Sequence, residues 1–170
     1  MEDMLATEEA PLTLARIWRE MTPAQKSAAA QAFWLDEDSM TQQVEAVTHL
    51  ARQLRFRPQS VLSMPADRKA RQIVMQAKLP DNVIARLLVV YHLKVQRPML
   101  VAFLDHLGIA HEDGLISDTM GDKPEAGRLA SAVEALRAAF PDADVRLYLR
   151  TLAVQDPDTW GTLADAATSA

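Results

Sequence analysis

From Pro80 to Leu107 the chain reads PDNVIARLLVVYHLKVQRPMLVAFLDHL, and the fold class turns on this run. Val83, Ile84, Leu87, Leu88, Val89, Val90, Tyr91, Leu93 and Val95 cover nearly the whole circumference of a helix. A helix that is apolar all round is surrounded by other elements. Met99, Leu100, Val101, Phe103, Leu104 and Leu107 repeat the pattern beyond Pro98. The residue before a proline is biased away from helix. The run is therefore expected to form two core helices, 80–95 and 98–107, packed as a central pair, or one helix kinked near Pro98.

Outward from this run, nine prolines punctuate the sequence. Each stands at or just ahead of a helix-like segment, where a missing N–H costs nothing. The segments expected to be helical are 12–20, 23–34, 40–55, 58–63, 65–78, 80–95, 98–107, 124–139, 142–154 and 157–167. Thr22 to Gln25 and Ser39 to Gln42 have the spacing of capping boxes. Asp142 and Asp156 are placed as acidic N-caps. Leu107-Gly108-Ile109 reads as a helix end with Gly108 left-handed and Ile109 folded back on Leu104. Helix-forming residues dominate, aromatics number nine, and no long β-branched alternation exists. The expected fold is all-α: an irregular, mainly antiparallel bundle of about eight to ten short helices.

The expected organisation is a single domain. Residues 1–11 form a flexible acidic N-terminus, 12–109 the main helical body, 110–123 an acidic Gly-containing loop, and 124–170 helices packed on that body. Segment 40–55 shows one stripe of Val44, Val47, Ala51 and Leu54, and 124–139 shows Leu129, Val133 and Leu136. Trp18, Phe33 and Trp34 are placed sealing the N-terminal hairpin, and His92 as a buried, hydrogen-bonded core histidine. Met64, Met75 and Met99 are read as core fillers. With 170 residues, 49% of them hydrophobic, the chain has enough apolar material for a stable core.

Composition closes several function classes. No cysteine is present, so disulfides, thiolate metal sites and cysteine nucleophiles are excluded. The first ten residues are acidic where a signal peptide needs positive charge. A cytoplasmic protein is expected, and no membrane partner. Arg outnumbers Lys 13 to 5, and 28 residues are Ala, a bias that fits a bacterial GC-rich coding background. Phosphate-binding glycine loops, nucleophile elbows and paired-carboxylate motifs do not occur. No cofactor is expected, and enzymatic activity is the least favoured reading.

The charges are segregated. Residues 1–48 hold 3 basic and 9 acidic residues, 49–97 hold 10 and 2, and 98–170 hold 5 and 12. The overall charge of −5 hides a middle of +8. At its centre stand Arg52, Arg55, Arg57, Arg68, Lys69 and Arg71, interrupted only by Asp67. Helix starts near Pro58 and Pro65, with Ser60 and Ser63, lie among them, a combination suited to an anion. Three outcomes follow: these cations pair with the chain's own acidic flanks, or with a second copy, or they engage an external anion. The expected function is a non-enzymatic protein–protein interaction domain using the basic surface around 52–71. Its partner is an acidic protein or a second copy of itself. The alternative is nucleic-acid or phosphorylated-ligand binding by the same surface, although Phe56 is the only aromatic there.

Two weaker patterns complete the reading. His106, His111, Glu112 and Asp113, with Asp105 and Asp118 near, have ligand chemistry for a divalent metal at the 105–118 loop. Their spacing matches neither a His-Glu-x-x-His helix nor an EF-hand. Segment 98–109 has the shape of the first half of a helix-turn-helix. The segment after it, 111–118, is acidic and contains glycine, which a DNA-recognition helix cannot accommodate.

Overall fold

The computed structural model describes residues 11–116 and 123–168. Among these residues the regular structure is helical apart from one hairpin of two two-residue strands. Helices α1 (Leu14–Glu20), α2 (Pro23–Leu35), α3 (Met40–Leu54), α4 (Pro58–Leu62), α5 (Ala66–Val74) and α6 (Asp81–Val90) build the first half. After α7 (Arg97–Leu107) come the strands His111–Glu112 and Leu115–Ile116. Helices α8 (Ala126–Ala139), α9 (Asp142–Gln155), α10 (Pro157–Trp160) and α11 (Leu163–Thr168) follow.

Local signals set most boundaries. The Thr22 hydroxyl accepts from the Gln25 N–H at 3.1 Å, and the Gln25 side chain accepts from the Thr22 N–H at 3.0 Å, a complete capping box. Asp156 caps α10 by accepting from the Thr159 N–H at 3.3 Å. Gly108 is left-handed at φ 69°, and the Ile109 N–H reaches the Leu104 carbonyl at 3.0 Å. The second expected capping box does not form. Ser39 donates instead to Asp36 and accepts from Arg86, so long-range contacts outcompete the local cap. Asp142 is the first residue of α9 rather than its cap, and it pairs with Arg146 at 2.9 Å. Helix α5 stops at Val74, short of 78, and 157–167 is broken into α10 and α11 by a turn at Gly161 and Thr162.

The decisive run is bent rather than straight. Residues Tyr91–Val95 widen into a π turn that ends the first arm, and the axes of Asp81–Val95 and Arg97–Leu107, on either side of Gln96, differ by 86°. Pro98, in the first turn of α7, has no N–H to continue the ladder of α6. The Arg97 guanidinium satisfies the Leu93 carbonyl at the break, 3.0 Å away. No single described helix is long and apolar enough to cross a membrane, and the core-facing sides of the bent pair are buried in protein.

The bend distributes the apolar run between two clusters, so α6 and α7 are not a packed central pair. Val83, Ile84, Leu87, Leu88 and Tyr91 join Ile17, Trp18, Phe33, Val47, Leu50 and Ile73 in the first. Met99, Phe103, Leu104 and Leu107 join Leu129, Val133, Leu136, Tyr148 and Trp160 in the second. Helix α9 spans both, giving Leu147 to one and Val145, Tyr148 and Leu149 to the other. A polar clasp holds the junction. Asp144 accepts from Gln25 at 2.9 Å and from the Tyr91 hydroxyl at 3.2 Å, and Gln96 donates to that hydroxyl at 3.1 Å.

His92 is the core histidine expected. It lies at the π turn with its Nδ1 2.8 Å from the Leu88 carbonyl, so Nδ1 carries the proton. Its ring packs against Tyr91 and Tyr148, and its Nε2 is buried without a partner. Burial pushes its pKa down to about 4, against weaker opposing effects of the Leu88 carbonyl and the Asp144 charge. The unfolded chain, with an ordinary histidine pKa of 6.5, therefore binds a proton that the folded chain refuses. Stability is full above pH 6.5 and falls as the pH drops toward 4. Urea unfolding at pH 7.5 and pH 5 should show a loss of about 2 kcal/mol. The His92→Phe variant should flatten this window. Asp36 and Glu20, whose pKa values lie below ordinary carboxylates, lose their contributions only at lower pH.

Candidate interaction surface

The six basic residues singled out in the sequence lie on α3, α5 and the segment joining α3 to α4. Arg52 is in the last turn of α3, Arg55 and Arg57 occupy the joining segment, and Arg68, Lys69 and Arg71 lie on α5. All are exposed except Lys69, which is half-buried with its ammonium 4.7 Å from the Trp34 ring centroid. That cation–π contact makes Lys69 a packing residue of the first cluster rather than an open charge. Arg71 pairs loosely with Asp67, one turn earlier, at 3.4 Å.

Among the described residues, Arg52, Arg55, Arg57 and Arg68 take part in no ion pair. Two acids of the N-terminal flank are engaged elsewhere. Asp36 binds Arg86 at 3.0 Å, and Glu20 binds Arg16 at 3.1 Å and also Arg150. Burial raises the Asp36 pKa, but hydrogen bonds from Ser39 and Arg86 and the charges of Arg86 and Lys94 outweigh it and hold the carboxyl below its usual range.

Helix termini add little to this surface. Helix α4 is a single turn of five residues, and α5 carries Asp67 in its first turn. The Ser63 hydroxyl is committed to the Gln59 carbonyl at 2.8 Å. The positive field therefore rests on guanidinium groups. Between them stand apolar side chains: Phe56 is 48% exposed and Leu62 54%. Met75, placed in the core by the sequence, is 75% exposed just after α5, whereas Met99 is buried and Met64 half-buried.

A second exposed region lies at the opposite end of α3. Val44, expected in the core stripe, is 59% exposed, and the buried stripe is Ala46, Val47, Leu50 and Ala51. Met40 and Leu35 are exposed beside it, as are Glu37 and Asp38 in the 3-10 turn before α3. A cleft of about 630 Å³ opens next to this corner, lined by Asp38, Arg86, Leu93, Lys94, Arg97 and Glu112 among others.

Of the metal candidates among the described residues only His111 and Asp105 are brought together, 2.7 Å apart. Among the described residues no group of three or more His, Asp or Glu could hold an ion. His106 turns to the Ser131 hydroxyl of α8 at 3.0 Å. His111 has both ring nitrogens occupied, Nδ1 accepting from the Gly114 N–H at 3.1 Å and Nε2 donating to Asp105 at 2.7 Å. Glu112 and Asp113 face the cleft instead. Asp118 lies outside the described residues, as do 1–10 of the expected flexible N-terminus. Residues 111–116 form a hairpin, not a helix, with His111 opposite Ile116 and Glu112 opposite Leu115. Asp113 (φ 50°) and Gly114 (φ 92°) make its two-residue turn. The Asp-Gly dipeptide was the available signal. No family model matches the chain, and comparisons with curated proteins and with solved structures give no significant match either.

Arg55 holds the one conformation on this surface that local energetics oppose. It occupies the left-handed region at φ 56°, ψ 38°, closing α3 while the Phe56 N–H reaches the Ala51 carbonyl at 2.9 Å. Glycine is the usual residue at such a position, because a Cβ there costs about 1 kcal/mol or more. Arg55→Gly should therefore raise the unfolding free energy by roughly 1 kcal/mol in urea titrations. An unchanged or lowered value would mean that the arginine stabilises its own fold.

Proposed function

We propose that this chain is a non-enzymatic helical interaction domain that engages an acidic protein surface through Arg52, Arg55, Arg57, Arg68 and Arg71. The observation that carries this reading is the exposure of these arginines without partners from the acidic flanks, with Phe56 and Leu62 interleaved. Guanidinium groups are weakly hydrated forks that fit carboxylates two hydrogen bonds at a time. Apolar side chains between them add the desolvated contact that charges alone do not supply. Arg55 supports the reading further: its backbone closes α3 by donating to the Ala51 carbonyl, but its side chain makes no ion pair among the described residues, and a left-handed surface residue of this kind is better explained by a partner. We place the domain in the cytoplasm of a bacterium, the compartment its cysteine-free composition fits.

Fluorescence anisotropy with labelled poly-glutamate tests the proposal. The wild-type chain should bind the peptide at low ionic strength, and Arg52→Glu with Arg55→Glu and Arg68→Glu should weaken binding at least about tenfold. A labelled oligonucleotide serves as the competing probe. If it binds more tightly than poly-glutamate, with the steep salt dependence of phosphate contacts, the surface reads nucleic acid and the proposal is wrong.

A further inference from the structure

Helix α3 carries opposite charges at its two ends and an apolar ridge between them. Its fifteen residues span about 22 Å. Met40, Val44, Thr48 and Arg52 are all exposed and follow one another at intervals of four, so they form a single ridge. Glu37 and Asp38 stand exposed at its start, Arg52 and Arg55 at its end. Among the described residues none of these four charges has an ion-pair partner.

The charges taken alone are explained by the dipole of α3, which favours acids at its start and bases at its end. The dipole does not explain Met40 and Val44, which lie 68% and 59% exposed between those ends. Nor does it explain Leu35, 73% exposed at the acidic end, or Phe56 at the basic one. Large apolar side chains grouped on an open helix face mark a contact surface.

We infer that the occupant of this face is a second copy of the same chain, with the two α3 helices antiparallel about a twofold axis between Val44 and Thr48. The inference rests on the proposed role of the basic surface, since it uses Arg52 and Arg55. The pattern is self-complementary in that orientation only. Reversal places Glu37 and Asp38 of each copy opposite Arg52 and Arg55 of the other. It sets Val44 of each copy opposite Thr48 of the other, on either side of the axis, and Leu35 near the level of Phe56. A twofold contact uses each complementary pair twice. The parallel arrangement sets acid against acid and base against base, which opposes it.

Sedimentation equilibrium of the full chain at low ionic strength reads the outcome directly. The wild type should show twice the 18.8 kDa chain mass. A basic-ended variant, Glu37→Arg with Asp38→Arg, should be monomeric. An acid-ended variant, Arg52→Glu with Arg55→Glu, should also be monomeric. An equimolar mixture of the two should recover the double mass, because each end then meets its opposite, and this recovery also shows that both variants fold. Adding Val44→Asp to both should abolish the recovery. A wild type of single-chain mass overturns the inference by itself, as does a mixture that stays monomeric. Poly-glutamate binding separates the two levels of argument. A monomeric wild type that binds the peptide leaves the basic surface intact as a docking site for another protein. A monomeric wild type that does not bind it removes both readings.

Discussion

The bend at Tyr91–Pro98 is the constraint on which the remaining structure depends. A straight helix over 80–107 would carry a continuous apolar surface of about 40 Å, the full diameter of a domain of this size, with its ends left at the surface. Proline removes the N–H that would continue the ladder, and the chain changes direction at Gln96, between the π turn and α7. Each arm then has a cluster of its own to fill. The two clusters remain one body because α9 crosses between them and because Asp144 gathers donors from α2 and from the π turn. His92 is buried at the same junction, where burial keeps its ring neutral.

Much of this was legible in the sequence because the governing signals are local. Prolines at helix starts, the Thr22–Gln25 box and the Gly108 turn act within four or five residues, and the helices they bound are found where they point. Departures arise where distant residues intervene. Ser39 has the spacing of a cap, but Arg86, 47 residues away, takes its hydroxyl. Val44 fits the core stripe of α3 by periodicity, but among the described residues no neighbour buries Met40 and Val44 at the N-terminal end of that helix. The parting of α6 from α7 follows from the size of the bend angle, which Pro98 signals but does not fix. The Asp113-Gly114 hairpin was legible and was masked by the surrounding charge, which reads as loop.

The candidate surface was legible to the same degree. Sorting charge along the chain locates the basic residues, because sequence neighbours on α3 to α5 stay spatial neighbours. Whether those residues answer the acidic flanks is a question of tertiary geometry that no spacing rule addresses. Lys69 shows the difference. In the sequence it is one more cation of the cluster, and in the fold it lies on Trp34 as part of the core's edge.

Among the described residues, the one flank acid that forms an ion pair with the basic middle explains why others stay open. Asp36 is buried at the corner between α2 and α3, held by Ser39 and by Arg86 from α6. Its neighbours Glu37 and Asp38 are then turned outward by the 3-10 geometry of that corner. Desolvation makes an unpaired buried carboxylate costly, so the internal arginine goes to Asp36 first. The same pair fixes α3 against α6, and with it the line from the acidic corner to Arg52. Surface charges that could have neutralised one another by folding back are held at opposite ends of a rigid helix. Within one chain they stay apart, and the antiparallel pairing we propose is the arrangement that would bring them together.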